Sequence, residues 1–260
     1  MPGPGAQAGT LTAMTSILLL PGLASDAAQW RDQLPVLAAR AGAQVSVSDV
    51  HGRFDTLPAM AAALLFEHSG PLVLIGTSMG GILALEVCRQ APQRVAGLAL
   101  LGSSARPDTP ELIDLRTQAC ELFAAGRMDE LLRANLMFAF HPDSLGAGST
   151  LAAGYLAMMA RAGADQLIRQ NRAIMRRPDS RPLLPSITCP TLLVCGDADQ
   201  LTVPECSREM AAALPNAELH FLPRCGHLLT WEAPQALNSV LTVWLDRLDR
   251  LPQVLPTTPQ

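Results

Sequence analysis

Residues 72–81 read Leu-Val-Leu-Ile-Gly-Thr-Ser-Met-Gly-Gly, a run of four apolar residues entering a Gly-x-Ser-x-Gly turn. A helix-like segment, Ile82 to Gln90, follows at once. Strand, Gly-flanked serine and helix together specify a strained turn with Ser78 exposed at its tip. The flanking positions must be tiny for the chain to double back on itself, and Gly76 and Gly80 meet that need. Ser78 then stands at a helix N-terminus, where the next backbone N–H, that of Met79, can donate to a developing oxyanion.

The rest of the chain reads as an α/β domain around that turn. Short apolar runs alternate with helix-period segments, the pattern of a parallel sheet covered by helices on both faces. Expected strands are Ile17–Leu20, Gln44–Val47, Leu72–Ile75, Val95–Leu101, Thr191–Cys195 and Glu218–Leu222. Expected helices between them are Ala27–Arg40, Leu57–Glu67, Met79–Gln90, Glu205–Ala213 and Pro234–Leu248. The expected fold is therefore a doubly wound, mostly parallel sheet of about six strands. At 260 residues, 49% hydrophobic and 16% charged, the chain has the composition of a compact protein able to bury a large core.

From Arg106 to Pro190 the rhythm turns wholly helical, with helices expected at Glu111–Ala125, Met128–Phe138, Thr150–Ala162 and Ala164–Arg176. Breaks fall at Gly126, at His141-Pro142 through Gly148, and at the Pro-rich stretch 177–182. The expected organisation is a core of 16–105 and 191–250, a helical lid of 106–190 inserted after the fourth strand, a disordered extension at 1–15 and a flexible tail at 251–260.

A serine hydroxyl needs a base, and the base a group to orient it. Three histidines lie downstream of Ser78. His220 falls inside the last strand and His141 inside the lid, whereas His227 follows Cys225-Gly226 in the loop beyond that strand, so His227 is the expected base. The acid is expected in the turn after Thr191–Cys195, where Asp197 and Asp199 are both available to hold the imidazole. The second oxyanion donor is expected from the loop Leu20-Pro21-Gly22-Leu23-Ala24-Ser25. Pro21 has no N–H to give, Gly22 permits close approach, and the N–H of Leu23 is the expected donor.

These motifs resemble the α/β-hydrolase superfamily over about Ser16 to Leu248. The resemblance rests on Leu20-Pro21-Gly22, Gly76-Thr77-Ser78-Met79-Gly80-Gly81, Gly196-x-x-Asp199 with Pro204, and Gly226-His227, in that order. It implies a Ser78–Asp199–His227 triad, selecting Asp199 over Asp197. The stretch from Gln170 to Pro182 resembles a bacterial subgroup of general hydrolases near the enol-lactonases and small esterases. Two departures stand out: Pro21 replaces the usual His before Gly22, and no strand pattern precedes the core.

Substrate contacts are expected from Trp30, Phe138, Phe140, His141 and Met158, and the Met- and Phe-containing lid points to a small to medium, mainly apolar substrate. The resemblance and the triad together imply cleavage of a carboxylic ester through an acyl-enzyme. The alternatives are a lactonase, a carbon–carbon bond hydrolase, a cofactor-free perhydrolase, or a receptor on the same fold with little turnover. Thr77 argues mildly against carbon–carbon hydrolases, which often carry Asn there. Scattered histidines without ligand spacing imply no metal, and no cofactor is expected. The net charge of −4, with nineteen scattered Arg and no Lys, offers no nucleic-acid footprint. The run Ile17–Leu20 is too short to span a bilayer. Six cysteines without a CxxC fit a reduced, cytoplasmic setting. The expected partner is a small ester or lactone, and the sequence carries no signal for oligomeric state.

Overall fold

The structure, a computed structural model, describes residues 16–40, 42 and 44–250. The expectations for 1–15 and 251–260 lie outside the described residues. Strands β1 (Ser16–Leu20), β2 (Gln44–Val47), β3 (Leu72–Thr77), β4 (Val95–Leu101), β5 (Thr191–Gly196) and β6 (Ala217–Leu222) form one sheet in the order β2-β1-β3-β4-β5-β6. Every neighbouring pair is parallel. The expected α/β sheet of six strands is present.

Alternation along the strands explains the two-sided core. Leu18, Leu20, Leu72, Leu74, Leu98, Leu100 and Leu193 point to one face; Ile17, Leu19, Val73, Ile75, Ala99, Leu101, Leu192 and Val194 point to the other. The first face is covered by α2 (Val50–Arg53), α3 (Leu57–Glu67), α4 (Met79–Gln90) and α8 (Pro204–Ala213). The second is covered by α1 (Leu34–Ala38) and α10 (Pro234–Leu248), with α9 (Leu229–Glu232) at its rim. Because both faces are buried, β3 reads Leu-Val-Leu-Ile-Gly-Thr without a polar alternation and is buried along its whole length.

Helix starts follow local chemistry. The Thr56 side chain accepts the Ala59 N–H at the head of α3, with Pro58 in the first turn. The Thr109 side chain does the same for Leu112 at the head of α5 (Pro110–Ala124). The segment expected as one helix over Ala27–Arg40 is two pieces. A 3-10 turn, Ala27–Trp30, is capped by Asp26, and α1 begins only at Leu34. Pro35 has no N–H to bond back to Arg31, so the helix cannot run through.

Between β4 and β5 lie α5, α6 (Met128–Ala139) and α7 (Leu151–Met175). The break expected between two helices falls inside α7 at Gly163, whose φ of 75° and ψ of 171° are not helical. Phe123, Leu132, Phe140, Met158, Met159 and Leu167 of this insertion form a third cluster with Ala24, Leu228 and Trp231. The insertion thus packs on the loops that follow β1 and β6. Among the described residues no helix is long and apolar enough to cross a membrane.

Candidate active site

In the strand order the chain turns outward from β1 to β2 and then back across to β3, so β1 and β3 flank a topological switch point. In open parallel sheets the crevice at the carboxyl ends of such a pair is where ligands bind. The residues there are Gly22 and Leu23 after β1, and Ser78 after β3.

Ser78 is the one residue between Leu72 and Cys88 that is not buried. Its backbone sits at φ 50°, ψ −115°, a region that costs a non-glycine residue about 1–3 kcal/mol and is held only by surrounding structure. Besides the bonds that Gly81 and Ile82 N–H make to Ser78 O at the head of α4, the segment after β3 is tied to β4 and beyond: Ser78 N–H donates to Leu101 O (2.9 Å), and Ser103 Oγ donates to Ser78 O (2.9 Å). The turn is tight enough that a Cβ on Gly80 would collide with the carbonyl oxygens of Leu20 and Pro21, and one on Gly76 with the Gly80 carbonyl.

The residues expected as its partners, Asp199 and His227, lie in the loops after β5 and β6. Asp199, buried in the turn after β5, accepts four hydrogen bonds: Leu201 N–H and Thr202 N–H at 2.9 Å each, Thr202 Oγ1 at 2.8 Å and His227 Nδ1–H at 2.8 Å. Burial pushes the Asp199 carboxyl pKa up, but His227 and the Thr202 donors outweigh it and hold the group below the ordinary carboxylate value. Burial likewise pushes the His227 imidazole down, while the charge and hydrogen bond of Asp199, with Glu232 adding, raise it overall. Asp197, the competing acid, instead accepts the Cys225 N–H at 3.3 Å. Gly102 at the end of β4, with φ 51°, borders both partners; a Cβ there would lie 3.2 Å from Asp199 Oδ2 and 3.5 Å from His227 Nδ1.

The loop of His227 is fixed on both sides. Ala139 O at the end of α6 accepts the His227 and Leu228 N–H groups, and Glu232 Oε1 accepts those of Gly226 and Leu228. Across the crevice, the N–H groups of Leu23 and Met79 have no acceptor among the described residues, while Gly22 N–H and Ala24 N–H on either side of Leu23 are both bonded. This arrangement can present a serine, an oriented imidazole and two free donors to a carbonyl carbon and its oxygen.

The five residues expected at the substrate are placed differently from one another. Trp30 is wholly buried in the cluster of Ile17, Leu19 and Leu37, a core residue of the second sheet face and not a wall of the crevice. Phe140 and Met158 are buried in the cluster of the insertion, Phe140 edge-on to Tyr155 with ring centroids 5.7 Å apart. Phe138 is 41% exposed. The N–H of His141 donates to Glu232 Oε2 (2.7 Å), and its Nδ1 accepts the Asp143 N–H (3.1 Å). On the inserted helices, Arg133, Arg161 and Arg169 pair with Asp129, Asp26 and Asp55.

Sequence reasoning missed Thr202, Ser103, Gln29, Gln170 and Glu232. Thr202 had a signal, since it lies three residues past Asp199 in the same turn. Ser103, Gln170 and Glu232 act on backbone groups, and Gln29 on one backbone N–H and the Thr77 hydroxyl; none of the four carries a signal.

A family model described as the alpha/beta hydrolase family matches residues 17–240. The chain belongs to that family. Among relatives of this alpha/beta hydrolase is RutD of Serratia proteamaculans, provisionally named a carbamate hydrolase. It is 27% identical over 248 residues, covering 88% of this chain and 90% of that protein. A second is the 2-hydroxy-6-oxononadienedioate/2-hydroxy-6-oxononatrienedioate hydrolase of Paraburkholderia xenovorans, 26% identical over 228 residues, with 85% and 74% covered. Among solved structures, a thermophilic esterase from Thermogutta terrifontis, with malate bound, superposes with a TM-score of 0.81 at 25% identity, covering 93% and 92%. The enol-lactonase of Burkholderia xenovorans shares the fold, with a TM-score of 0.80 at 22% identity, covering 89% and 91%. The alpha/beta hydrolase described here is accordingly a hydrolase.

Proposed function

We propose that the protein is a serine hydrolase that cleaves a small to medium, mainly apolar carboxylic ester through an acyl-enzyme. Ser78 Oγ attacks the carbonyl carbon while His227 Nε2 takes its proton. The same imidazolium then protonates the departing alcohol, and a water activated by His227 releases the acid. Asp199 keeps the imidazole proton on Nδ1 and stabilises the imidazolium. The N–H groups of Leu23 and Met79 receive the oxyanion. Helices α5 to α7, as a lid of 106–190 over a core of 16–105 and 191–250, select the acyl group.

The single observation that carries this reading is the backbone of Ser78. A serine held at φ 50° by its neighbours, uncovered in an otherwise buried run, is strain maintained at a site of use.

The test is a panel of p-nitrophenyl esters of increasing chain length, run beside a lactone, an alkyl carbamate and a vinylogous diketone. The wild type is expected to hydrolyse short and medium esters fastest, and Ser78→Ala to lose that turnover. Ester turnover that survives Ser78→Ala overturns the mechanism. A preference for the carbamate, the substrate class in the RutD relative's name, or for the diketone overturns the ester assignment and keeps the triad.

A further inference from the structure

Two glutamines far apart in sequence bracket Leu23. Gly22 N–H donates to Gln29 Oε1 at 2.8 Å, and Ala24 N–H donates to Gln170 Oε1 at 2.6 Å. Gln29 is 5% exposed and Gln170 is fully buried. The oxygen of Gln29 also accepts Thr77 Oγ1–H at 3.0 Å, from the residue preceding Ser78. One side-chain oxygen therefore ties the loop after β1 to the serine turn after β3. Gln170 reaches the same loop from α7, and its Nε2 donates to His51 O at 2.9 Å. His51 closes the ring by placing Nε2 2.7 Å from Ser25 O. The Ser25 N–H bonds to Gly22 O within the loop.

The loop is irregular, and Ala24 sits at φ 52°. Such a backbone has no neighbouring strand to set the direction of its N–H groups. With the donors of Gly22, Ala24 and Ser25 all committed, that of Leu23 is left over, on a residue more exposed than those flanking it. A donor worth having in an oxyanion site must be aimed before the charge forms, because reorienting it during the reaction forfeits its advantage.

We propose that Gln29 and Gln170 are positioning residues that aim the Leu23 N–H at the oxyanion and fix its spacing from Met79 N–H. The proposal rests on the ester-hydrolase reading of the site. Gln29 sets the distance between the two donors, by holding Gly22 and Thr77 on one oxygen. Gln170 fixes the peptide that follows Leu23, through the Ala24 N–H, and does so from the inserted helices, so the oxyanion site is complete only with α7 in place.

The test compares a p-nitrophenyl ester with its thionoester in the wild type, Gln29→Met and Gln170→Met. Methionine keeps the length of glutamine and removes the acceptor. Sulfur accepts hydrogen bonds poorly, so a well-aimed donor pair makes the wild type prefer the oxygen ester. In each variant kcat/KM for the oxygen ester is expected to fall by about tenfold to hundredfold, with KM changed by less than about twofold. The oxygen-over-sulfur preference shrinks by a similar factor. Thr77→Val removes one donor to Gln29 with hardly a change in volume, and serves where a methionine variant fails to fold; it is expected to move both quantities the same way, by severalfold. An active variant whose oxygen-over-sulfur preference equals that of the wild type overturns the brace alone. A wild type that hydrolyses no ester, or a Ser78→Ala variant that does, overturns the reading of the site and the brace with it.

Discussion

One carboxylate oxygen of Glu232 accepts the backbone N–H of His141 at 2.7 Å, which joins the segment after α6 to the loop that carries His227. The other oxygen accepts the N–H groups of Gly226 and Leu228, at 3.1 and 3.2 Å. Removing this side chain leaves the N–H groups of His141 and Gly226 without an acceptor and leaves Leu228 N–H with Ala139 O alone. Hydrogen bonds to a charged group are worth about 1.5–3 kcal/mol each before relaxation, and their losses are not additive. Glu232→Ala is therefore expected to lower unfolding stability by about 3 kcal/mol in a urea titration. A loss under about 0.5 kcal/mol would show that water replaces the carboxylate there without penalty.

The pH dependence of turnover follows from the sign of the His227 shift. In the proposed mechanism the imidazole must be neutral to accept the serine proton, so kcat/KM is expected to rise with pH through its pKa. Burial lowers that pKa, but Asp199 and Glu232 outweigh burial, so the acid limb is expected above the ordinary histidine value of about 6.5. Asp199→Asn removes the charge that raises it. The limb then moves to lower pH, and kcat falls by about 10⁴ as the wrong tautomer is populated. The raised His227 pKa also adds stability that is full below about pH 6.5 and is lost as pH rises through the folded value. A pH–rate profile of the wild type and Asp199→Asn checks both limbs; an unmoved limb in the variant contradicts the assignment of Asp199.

Thr202 donates its hydroxyl to Asp199 Oδ2 at 2.8 Å and lies 3.2 Å from His227 Nδ1. Thr202→Val keeps the shape and removes the donor. The carboxylate then loses one of four partners, and kcat/KM is expected to fall by about tenfold at neutral pH, the equivalent of about 1.4 kcal/mol. Stopped-flow measurement of the acylation burst separates this from an effect on product release.

A buried ion pair sits where the inserted helices join the sheet. Asp108 is bound by Arg177 at 2.8 Å and by Arg116 at 2.8 Å, with the Asp108 side chain 1% exposed. Asp108→Ala leaves the Arg177 charge buried and unanswered, at a cost of about 3–5 kcal/mol. Thermal melting of the variant is expected at markedly lower temperature than the wild type, whatever ester the wild type prefers.

The parts of this molecule that announced themselves in the sequence are those whose chemistry lies in side chains. The fully buried strands read as apolar runs because both faces of the sheet are covered, and the Gly-flanked serine reads as a turn because only glycine fits there. The helix expected over Ala27–Arg40 failed at Pro35, a breaker outvoted by the surrounding apolar periodicity. Asp197 and Asp199 were equivalent as letters and differ only in what the turn brings to each: a backbone N–H for one, an imidazole for the other. Gln29, Gln170 and Glu232 were silent for a deeper reason. Their partners are mainly backbone amides, and an amide has no letter of its own.

The junction of the inserted helices has a consequence of another kind. Ser180 N–H donates to Ala105 O and Arg177 Nε–H donates to Arg106 O, so the chain leaves the sheet and returns to it through one clasp. The two ends of the insertion are thus held beside each other by bonds of their own, apart from the pairing of β4 with β5. Under the proposed function, a lineage carrying this architecture can revise what it cleaves within that stretch so long as it keeps Gln170 and the Ala139 carbonyl, which reach out of it to the loops of Leu23 and His227.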